Sequence, residues 1–384
     1  MSKLDELIAE FCPDGVEYKL IGDVCDFING FAFKSSKFQG YGEPILRISN
    51  IQDKKIDTSN LVYFNLDDYT EDLSKYIVNK GDIVVAMSGA TTGKIGVNDT
   101  DSIYYLNQRV GKFVPNEKII LNRFLYHILT SKTQLIYQIS GGGAQPNLSS
   151  EKLKQIKIPI PPLAVQQEIV RILDNFTEFT AELTAELTAE LTARRKQYEY
   201  YRDLLLTFGD DVSWCNLDEI LKIRNGKDYK SFNIGNIPVY GSGGIMTYID
   251  TYAYDKPSVL IPRKGSIDKL YYVEKPFWTV DTIFYTEIYT SKVIPKYVFY
   301  CLQKERLEQY NTAGGVPSLT QTVLNKVKIP VPPLKEQERI VAILDRFDAL
   351  CNDLTSGIPA EIEARQKQYE YYRDKLLSFK EVTA

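Results

Sequence analysis

The stretch LKQIKIPIPPLAVQQEIVRILDNF at 153–176 returns as LNKVKIPVPPLKEQERIVAILDRF at 324–347, 171 positions later. The stretch ELTARRKQYEYYRDLLLTF at 190–208 returns at the same offset as EIEARQKQYEYYRDKLLSF at 361–379. Self-similarity at one fixed spacing is the sequence signature of an internal duplication. We therefore infer a duplicated frame, and the predicted fold follows from what that frame holds.

A weaker match relates FCPDGVEYKLIGDVCDFING at 11–30 to FGDDVSWCNLDEILKIRNG at 208–226, with an offset of 196. Because the two offsets differ by 25, the chain between the repeats differs in length by 25 residues. The variable material is residues 31–152 and 227–323, two blocks that share little sequence. Two unlike blocks in one duplicated frame indicate two recognition modules on a common support.

The frame itself has the pattern of a helix after its extended IPIPPL segment. Apolar residues with helical spacing are Ile169, Ile172, Leu173, Phe176, Phe179 and Leu183. With three TAEL tetrapeptides at 180–191, the pattern predicts a helix of about 45 residues, or about 68 Å. The second copy is interrupted at Ser356-Gly357-Ile358-Pro359, a helix stop and restart. Matching apolar stripes favour an antiparallel coiled coil, and core helices of one large domain are the alternative.

Both variable blocks contain short apolar runs that are typical of strands. These runs are DIVVAM (82–87), SIYYL (102–106), RVGKFV (109–114), SVLIP (258–262) and KLYYV (269–273). Each block ends in a helical stretch, 122–139 or 295–310, before a glycine-rich turn, SGGGAQPNLS or TAGGVPSLT. The fold class predicted for the blocks is therefore α/β (α+β).

Composition excludes several classes of protein. The 384 residues are 44% hydrophobic and 25% charged, and no apolar run approaches the ~20 residues of a membrane span. The charged start MSKLDELIAE is not expected to be a secretory signal. Five scattered cysteines without a CxxC pair favour a reducing cytoplasm over a disulfide framework. A single histidine leaves little room for His-based metal sites or for a catalytic triad.

The net charge of −4 argues at first against a polyanionic partner, but the charge is unevenly distributed. Residues 1–30 carry two Lys or Arg against seven Asp or Glu. Block 31–152 carries 14 against 12, and block 227–323 carries 11 against nine. The two variable blocks are therefore mildly basic, and they are rich in polar side chains that can contact phosphates and bases.

No motif of catalysis is complete. SGATTGK at 88–94 differs from a phosphate-binding loop in glycine spacing and lacks its Ser/Thr. Pro13-Asp14 with Glu17 and Lys19 is too compressed for a metal-dependent nuclease, and the glycines at 141–143 and 241–244 do not follow the dinucleotide fingerprint. A [DN]-P-P-[FY] methyltransferase motif is also missing, and His127 fits a packed helical residue better than a ligand. We predict no catalytic residue and no metal site.

Polar and basic residues in predicted turns are the candidates for DNA contact. Asn107-Gln108-Arg109 is the best base-reading cluster, because amides pair with adenine and arginine pairs with guanine. Ordinary turn chemistry, or a satisfied strand residue, is the alternative at each position. The predicted DNA-binding residues are Lys34, Arg47, Asn50, Ser88, Thr91, Thr92, Lys94, Asn107, Gln108, Arg109, Tyr240, Ser242, Arg263, Lys264, Trp278, Thr279 and Asp281.

With these features together, the chain resembles the specificity (S) subunits of type I restriction-modification systems. The resemblance rests on GFAFKSSKF, SGATTGKIG, YLNQRVGKF, PVYGSGG and PFWTVDTIFY, and on both IPxPPLxxQ and both KQYEYYRD segments. It implies two target-recognition domains that each read half of a bipartite DNA site, joined by helices that dock two methyltransferase (M) subunits. Partner subunits would then supply S-adenosylmethionine for N6-adenine methylation, and restriction (R) subunits would use ATP and Mg²⁺. This chain would hold no cofactor of its own.

The resemblance also sets the expected layout, in which the N-terminal segment closes on the C-terminal arm in a circular, pseudo-twofold arrangement. We predict a first recognition domain at 1–152, a helical spacer at 153–208, a second recognition domain at 209–323 and a C-terminal helical region at 324–384. The residues predicted for the spacer and subunit interface are Ile169, Leu173, Leu183, Leu187, Leu191, Tyr198, Ile340, Leu344 and Tyr369.

The TAEL array suggests a mechanical hypothesis, because each tetrapeptide adds about 6 Å of helix. The copy number would then set the length of the unread spacer between the half-sites, unless the array is a neutral repeat in a tolerant helix. Two other functions stay open: a non-enzymatic helical scaffold that binds proteins without reading DNA, and a self-contained methyltransferase, which would need the missing cofactor motif. The expected location is the cytoplasm, without a membrane partner.

Overall fold

A computed structural model describes residues 2–52, 55–141, 146–209, 211–311, 314–352 and 357–382. The chain forms two compact units. Unit 1 contains residues 1–184 and 363–384, and unit 2 contains residues 185–362. The boundary falls inside the TAEL array, so the two helical segments of the predicted division, 153–208 and 324–384, each contribute to both units.

Eleven helices occur in the described part of the chain. They are α1 (Lys3–Phe11), α2 (Ile21–Val24), α3 (Asn122–Ser131), α4 (Thr133–Ile139), α5 (Ser150–Lys154), α6 (Leu163–Leu205), α7 (Leu217–Ile220), α8 (Pro295–Lys304), α9 (Gln321–Leu324), α10 (Leu334–Asn352) and α11 (Ile358–Leu376). No helix in the described ranges is both long enough and apolar enough to span a membrane.

The strands are short, and most of them belong to the two variable blocks. They are β1 (Glu17–Leu20), β2 (Cys25–Asn29), β3 (Glu43–Leu46), β4 (Ile51–Gln52), β5 (Lys55–Ile56), β6 (Val62–Phe64), β7 (Ile77–Val78), β8 (Ile83–Ala86), β9 (Ile95–Val97), β10 (Tyr104–Leu106), β11 (Val110–Pro115), β12 (Lys157–Ile160), β13 (Trp214–Asn216), β14 (Leu221–Asn225), β15 (Ile234–Gly241), β16 (Gly244–Ile249), β17 (Ser258–Pro262), β18 (Tyr271–Val273), β19 (Trp278–Thr279), β20 (Ile283–Ile288) and β21 (Lys328–Pro330).

All five strands predicted from apolar runs are present, as β8, β10, β11, β17 and β18. The stretch 122–139 forms α3 and α4, and the stretch 295–310 forms α8 and a 3-10 turn. Residues 142–145 and 312–313 of the two glycine-rich turns lie outside the described residues. The α+β prediction for the blocks is therefore confirmed.

The main sheet of unit 1 has the order β2-β11-β8-β9, with antiparallel pairs throughout. A second sheet, β6-β3-β10-β7, contains one parallel pair, β3 with β10. All four side chains of β8 are fully buried, because residues of α3 cover one face of the main sheet and the second sheet covers the other. The loops at the end of β8 are therefore placed on a rigid support.

Unit 2 repeats this topology with less material. Its main sheet has the order β14-β20-β17-β18, and a smaller sheet, β16-β15-β19, again contains one parallel pair, β15 with β19. Buried residues of β17 and β20 pack against α8. The duplicated frame contributes an equivalent antiparallel pair of strands to each unit, β1 with β12 in unit 1 and β13 with β21 in unit 2.

The frame helices have the predicted form. Helix α6 runs unbroken for 43 residues through the whole TAEL array. In unit 1 it pairs with α11, where the rings of Phe176 and Tyr372 lie 6.1 Å apart. In unit 2 it pairs with α10, where the rings of Tyr201 and Phe347 lie 5.6 Å apart. Ser356 of the predicted interruption lies outside the described residues, and α11 begins at Ile358 with a proline in its first turn, where proline is tolerated.

One acidic residue of each frame helix anchors the helix that precedes the glycine-rich turn. Asp174 accepts hydrogen bonds from Arg123 Nε and His127 Nε2, both at 2.8 Å. At the equivalent place in unit 2, Asp345 accepts from Tyr300 Oη at 2.5 Å and pairs with Lys296. His127 is fully buried, so it is the packed helical residue that its apolar neighbours predict.

The N-terminal segment and the C-terminal arm meet within unit 1, as the resemblance implies. Val16 forms a parallel bridge with Glu381, and its N–H donates to the Lys380 carbonyl at 2.9 Å. Gly15 has φ +120°, and a Cβ there would lie 2.3 Å from the Lys380 oxygen. Only glycine allows this close approach of the two backbone segments.

Candidate nucleic-acid interface

Three loops of unit 1 converge beyond the ends of β8 and β11 and enclose a cleft of about 820 Å³. The residues that line it are Ser88, Gly89, Gln108, Arg109, Pro146 and Asn147. We call residues 88–89, 107–109 and 146–147 the first loop cluster. Four of its side chains, at positions 88, 107, 108 and 109, were predicted from the sequence to contact DNA.

Backbone hydrogen bonds fix the geometry of the first loop cluster. Ser88 forms an antiparallel bridge with Asn147. The Met87 N–H donates to the Arg109 carbonyl at 2.9 Å, and the Leu148 N–H donates to the Met87 carbonyl at 2.7 Å. The three loops are therefore held by the main chain, so that side chains at the cleft can vary without loss of the loop positions.

The exposed side chains of the first loop cluster are Gln108, Arg109 and Asn147, and Asn107 is half-buried. Arg109 Nη1 donates to Ser88 Oγ at 3.2 Å, which orients the guanidinium, and its other N–H groups have no partner in the described part of the chain. Among the described residues, the Gln108 side chain has no hydrogen-bond partner. An arginine offers donors only, whereas a glutamine amide offers both donors and an acceptor.

The turn at 88–94 is built by its own hydroxyl groups. Thr91 Oγ1 donates to the Ile48 carbonyl at 2.9 Å. The Thr92 hydroxyl is buried and donates to the carbonyls of Gly89 at 2.7 Å and Pro146 at 3.2 Å. Lys94 Nζ donates to Gln52 Oε1 at 3.4 Å. The two threonine side chains therefore stabilise the turn.

Three further candidates of the first block lie outside the lining of the cleft. Asn50 is buried, and its Nδ2 donates to the Asp57 carbonyl at 3.0 Å. Arg47 Nη2 donates to the Asn60 carbonyl at 3.0 Å, so both side chains hold the loop around residues 57–60. Lys34 is exposed in the loop after β2, where its N–H donates to the Tyr69 hydroxyl.

A matching group of loops lies beyond the ends of β17 and β20 in unit 2. Ser242 N–H donates to Thr282 Oγ1 at 3.3 Å, and the Arg263 N–H donates to the Thr282 carbonyl at 2.8 Å. Lys264 forms an antiparallel bridge with Ser318. We call Ser242, residues 263–265, residues 281–282 and Ser318 the second loop cluster. The structure thus brings together Ser242, Arg263, Lys264 and Asp281, which were predicted from separate segments.

The side chains of the second loop cluster differ in exposure. Lys264 and Asp281 are exposed, and neither has an ion pair or hydrogen bond from its side chain within the described part of the chain. Arg263 is half-buried, and its guanidinium lies 5.8 Å from the centre of the Phe284 ring. Tyr240 lies on β15 beside the cluster, and burial raises the pKa of its hydroxyl, which stays protonated at neutral pH.

Trp278 and Thr279 occupy the buried strand β19. Trp278 is 8% exposed, and its Nε1 donates to the Lys227 carbonyl at 2.9 Å. Thr279 is fully buried, and its hydroxyl has no hydrogen-bond partner among the described residues. Of the predicted stretch 278–281, the side chain that reaches the surface is that of Asp281.

Sequence reasoning missed three polar side chains of the two clusters, those of Asn147, Thr282 and Ser318. A usable signal was present, because PNLS at 146–149 and PSLT at 317–320 recur at the frame offset of 171.

The residues predicted for the spacer and subunit interface pack within the units. Buried side chains are Ile169, Leu173, Tyr198, Ile340, Leu344 and Tyr369. The half-buried ones are Leu183, Leu187 and Leu191. The buried residues stabilise the attachment of the frame helices to each core, so a partner subunit would have to contact other side chains of these helices.

The described residues contain neither a metal-binding cluster nor an activated cysteine. They contain no group of three or more His, Cys, Asp or Glu side chains placed to hold a metal ion. All five cysteines are free, and burial raises the pKa of the Cys25 thiol to about 12. A thiol with such a pKa is uncharged at neutral pH and is a poor nucleophile.

A family model described as the type I restriction modification DNA specificity domain matches residues 13–193 and 210–364. The chain belongs to this family. Each matched segment contains one variable block and one copy of the IPxPPLxxQ frame, so the family describes both halves of the duplication. The protein is a non-catalytic DNA specificity subunit of a type I restriction-modification system.

Curated relatives of the specificity subunit have the same role. S.HindORF215P of Haemophilus influenzae, an inferred type I restriction enzyme specificity subunit, is 35% identical over 95% of this chain and 96% of its own length. The EcoR124I/EcoR124II specificity subunit of Escherichia coli is 39% identical over 60% of this chain and 65% of its own length.

Solved structures share the fold of the specificity subunit. A chain from a structure of complex assembly in a type I R-M system has a TM-score of 0.69, with 18% identity over 95% of this chain and 98% of that chain. The HsdS subunit from Thermoanaerobacter tengcongensis has a TM-score of 0.50, with 17% identity over 95% of this chain and 97% of that one.

Proposed function

We propose that the two loop clusters read the two halves of a bipartite site in double-stranded DNA, one cluster for each half-site. The observation that carries this proposal is the matched position of the clusters, each of which places exposed polar side chains at the end of the main sheet of its unit. In the first cluster these side chains are Gln108 and Arg109, and in the second they are Lys264 and Asp281. Side chains of these types recognise base edges in the major groove.

Loop clusters of this kind suit base reading because their backbones are fixed before DNA binds. The bridge from Ser88 to Asn147 and the bridge from Lys264 to Ser318 hold the loops without help from the exposed side chains. A fixed backbone reduces the conformational entropy that is lost on binding. The N–H groups of Thr92, Gly93 and Lys94 already donate to backbone carbonyls of the same unit. Phosphate contacts from this turn would therefore come from residues 88–91, and they would set the register of the protein on the duplex.

The charge of the variable blocks favours shared binding with partner subunits. Each block has an excess of only two positive charges, so counterion release by this chain alone would be limited. We propose that two methyltransferase (M) subunits dock on the frame helices and supply much of the phosphate contact. Restriction (R) subunits would join the same complex.

The proposed division of labour places all cofactors on the partner subunits. The M subunits would bind S-adenosylmethionine and methylate adenine at N6, and the R subunits would use ATP and Mg²⁺. The specificity subunit would contribute the orientation of the complex on the DNA. Because the substrate would be the DNA of the cell, the proposed location is the cytoplasm.

Methylation sequencing tests the proposed function. A strain that expresses this chain with its M subunit is expected to carry N6-methyladenine at one bipartite motif, in which two short specific sequences flank an unread spacer. A strain that expresses the M subunit alone is the control and is expected to lack that motif. Methylation of the same sequence in both strains, or of no defined sequence in either, would contradict the proposal.

A further inference from the structure

The two loop clusters correspond position by position, because the same backbone contacts recur in both units. The bridge of Ser88 with Asn147 matches that of Lys264 with Ser318. The hydrogen bond from Met87 N–H to the Arg109 carbonyl matches the one from Arg263 N–H to the Thr282 carbonyl. These contacts align position 88 with 264, position 109 with 282 and position 147 with 318.

A close backbone approach that occurs in both units aligns the segments at 107–109 and 280–282. A Cβ on Gly30 would lie 2.0 Å from the Asn107 carbonyl oxygen, and a Cβ on Gly226 would lie 2.0 Å from the Val280 carbonyl oxygen. Positions 107 and 280 are therefore equivalent. It follows that Gln108 occupies the place of Asp281.

At positions that fix the backbone of the loops, the two units have the same type of residue. Gly89 and Gly265 both have positive φ, at +79° and +83°. Pro146 matches Pro317, and a buried leucine follows in both units, at 148 and 319. The turn residues are thus the same wherever the backbone needs a particular conformation.

Positions whose side chains face the cluster have changed in every case. The first unit has Ser88, Gln108, Arg109 and Asn147, and the second has Lys264, Asp281, Thr282 and Ser318. A common support with unlike side chains at four facing positions is the pattern expected of two readers with different sequence preferences.

The two loop clusters differ in the hydrogen-bonding groups that their side chains offer. In the first cluster, the oriented guanidinium of Arg109 offers donors, which match the N7 and O6 acceptors of guanine. In the second cluster, the equivalent position is Thr282, and the acidic side chain among the residues that define the cluster is the exposed Asp281. A carboxylate accepts hydrogen bonds from an exocyclic amine, such as N4 of cytosine or N6 of adenine.

We infer that Arg109 reads a guanine in one half-site and that Asp281 reads the exocyclic amine of a cytosine or adenine in the other. This inference rests on the proposed function and adds the residue and the base edge for each half-site. Lys264 lies in the same cluster as Asp281, and its exposed ammonium group is of the type that contacts phosphates.

The experiment compares the methylated motif of the wild-type complex with that of two variants, Arg109→Gln and Asp281→Asn. Arg109→Gln is expected to relax the preference for guanine at one position of one half-site by roughly 10- to 100-fold, and to leave the other half-site unchanged. Asp281→Asn is expected to relax one position of the other half-site by a similar factor. Lys118→Gln and Asp255→Asn remove exposed charges elsewhere in the same units and serve as matched controls.

Binding measurements keep the test decisive if a variant abolishes methylation. The purified complex of each variant with its M subunit is titrated with duplexes that carry each base in turn at every position of the motif. Uniformly weaker binding with unchanged base preferences would overturn the inference while leaving the proposed function intact. A wild-type complex without any bipartite preference would instead overturn the proposed function.

Discussion

Gln166 and Gln337 lie 171 positions apart and are both fully buried. Each side-chain amide accepts a hydrogen bond from one backbone N–H and donates to two backbone carbonyls, of which one belongs to its own PPL segment. The partners are Leu121, Ile119 and Pro161 in unit 1, and Ile294, Lys292 and Pro332 in unit 2. One amide in each unit thus joins the start of a frame helix to the loop that precedes α3 or α8.

Replacement of Gln337 by alanine is expected to destabilise unit 2 by about 3 kcal/mol, because one N–H and two carbonyls lose their partners in a buried place. Both tryptophans, Trp214 and Trp278, belong to unit 2, so their fluorescence during urea denaturation follows this unit. The neighbouring exposed residue provides the control, and Glu338→Ala is expected to leave the midpoint nearly unchanged. Equal midpoints for the two variants would show that the amide contributes little.

The single histidine is expected to make unit 1 less stable in mild acid. Burial lowers the pKa of His127, against a smaller opposing effect of the hydrogen bond to Asp174, with Arg123 and Arg373 also disfavouring the charged form. Since the unfolded chain binds the proton first, the free energy of unfolding decreases as pH falls below the pKa of about 6.5 for an exposed histidine.

The test of this pH dependence is His127→Tyr, which installs the residue type of its counterpart Tyr300. Urea denaturation followed by circular dichroism between pH 5.5 and pH 8 should show a falling midpoint for the wild type and a flatter profile for the variant. Identical slopes in the two proteins would assign the pH dependence to other groups.

Gly30 is expected to tolerate no side chain. A Cβ would lie 2.0 Å from the Asn107 carbonyl oxygen, so Gly30→Ala must displace the first loop cluster. The cost expected for such overpacking is about 2–3 kcal/mol. Gly40 is the control, because nothing lies within 4 Å of a Cβ at that position. Thermal unfolding of the two alanine variants measures the difference, and comparable melting temperatures would show that the loop moves freely.

Deletion of residues 188–191 is expected to shorten the unread spacer of the DNA motif by about one to two base pairs, because the deletion removes about 6 Å of helix α6. The sequences of both half-sites should stay the same. Methylation sequencing of the deletion variant, expressed with its M subunit, gives the spacer directly. A spacer of unchanged length would leave the TAEL array as a neutral repeat.

The frame could be predicted from the sequence because its signal is repeated and long. A 24-residue match at a fixed offset predicted the two-part organisation, and the apolar spacing through Leu183 predicted a helix close to the observed length of 43 residues. Residues such as Ile169 and Leu173 belong to the core of unit 1 as well as to the helix pair. Helical spacing shows that a face is apolar and gives no information on which partner covers it.

The candidate site was predictable only in part, because accessibility depends on tertiary packing. Arg109 and Asp281 reach the surface, whereas Thr279 lies in a strand of two residues, too short for an alternating pattern to show which side faces inward. The repeat of PNLS as PSLT marks Asn147 and Ser318, but their place opposite Ser88 and Lys264 results from bridges between segments distant in sequence. Loop convergence of this kind is a property of the folded chain.

The stretch KQYEYYRD occurs without change at 196–203 and at 367–374, and its arginine packs in the same way in both places. Arg202 and Arg373 are each buried against a tyrosine four residues earlier in the chain. Because the repeated stretches that flank the variable blocks are nearly identical, a genetic crossover within them would replace one block and leave the other unchanged. If each block reads one half-site, as proposed, the exchange of whole blocks would give new pairings of half-sites without point mutations at the clusters.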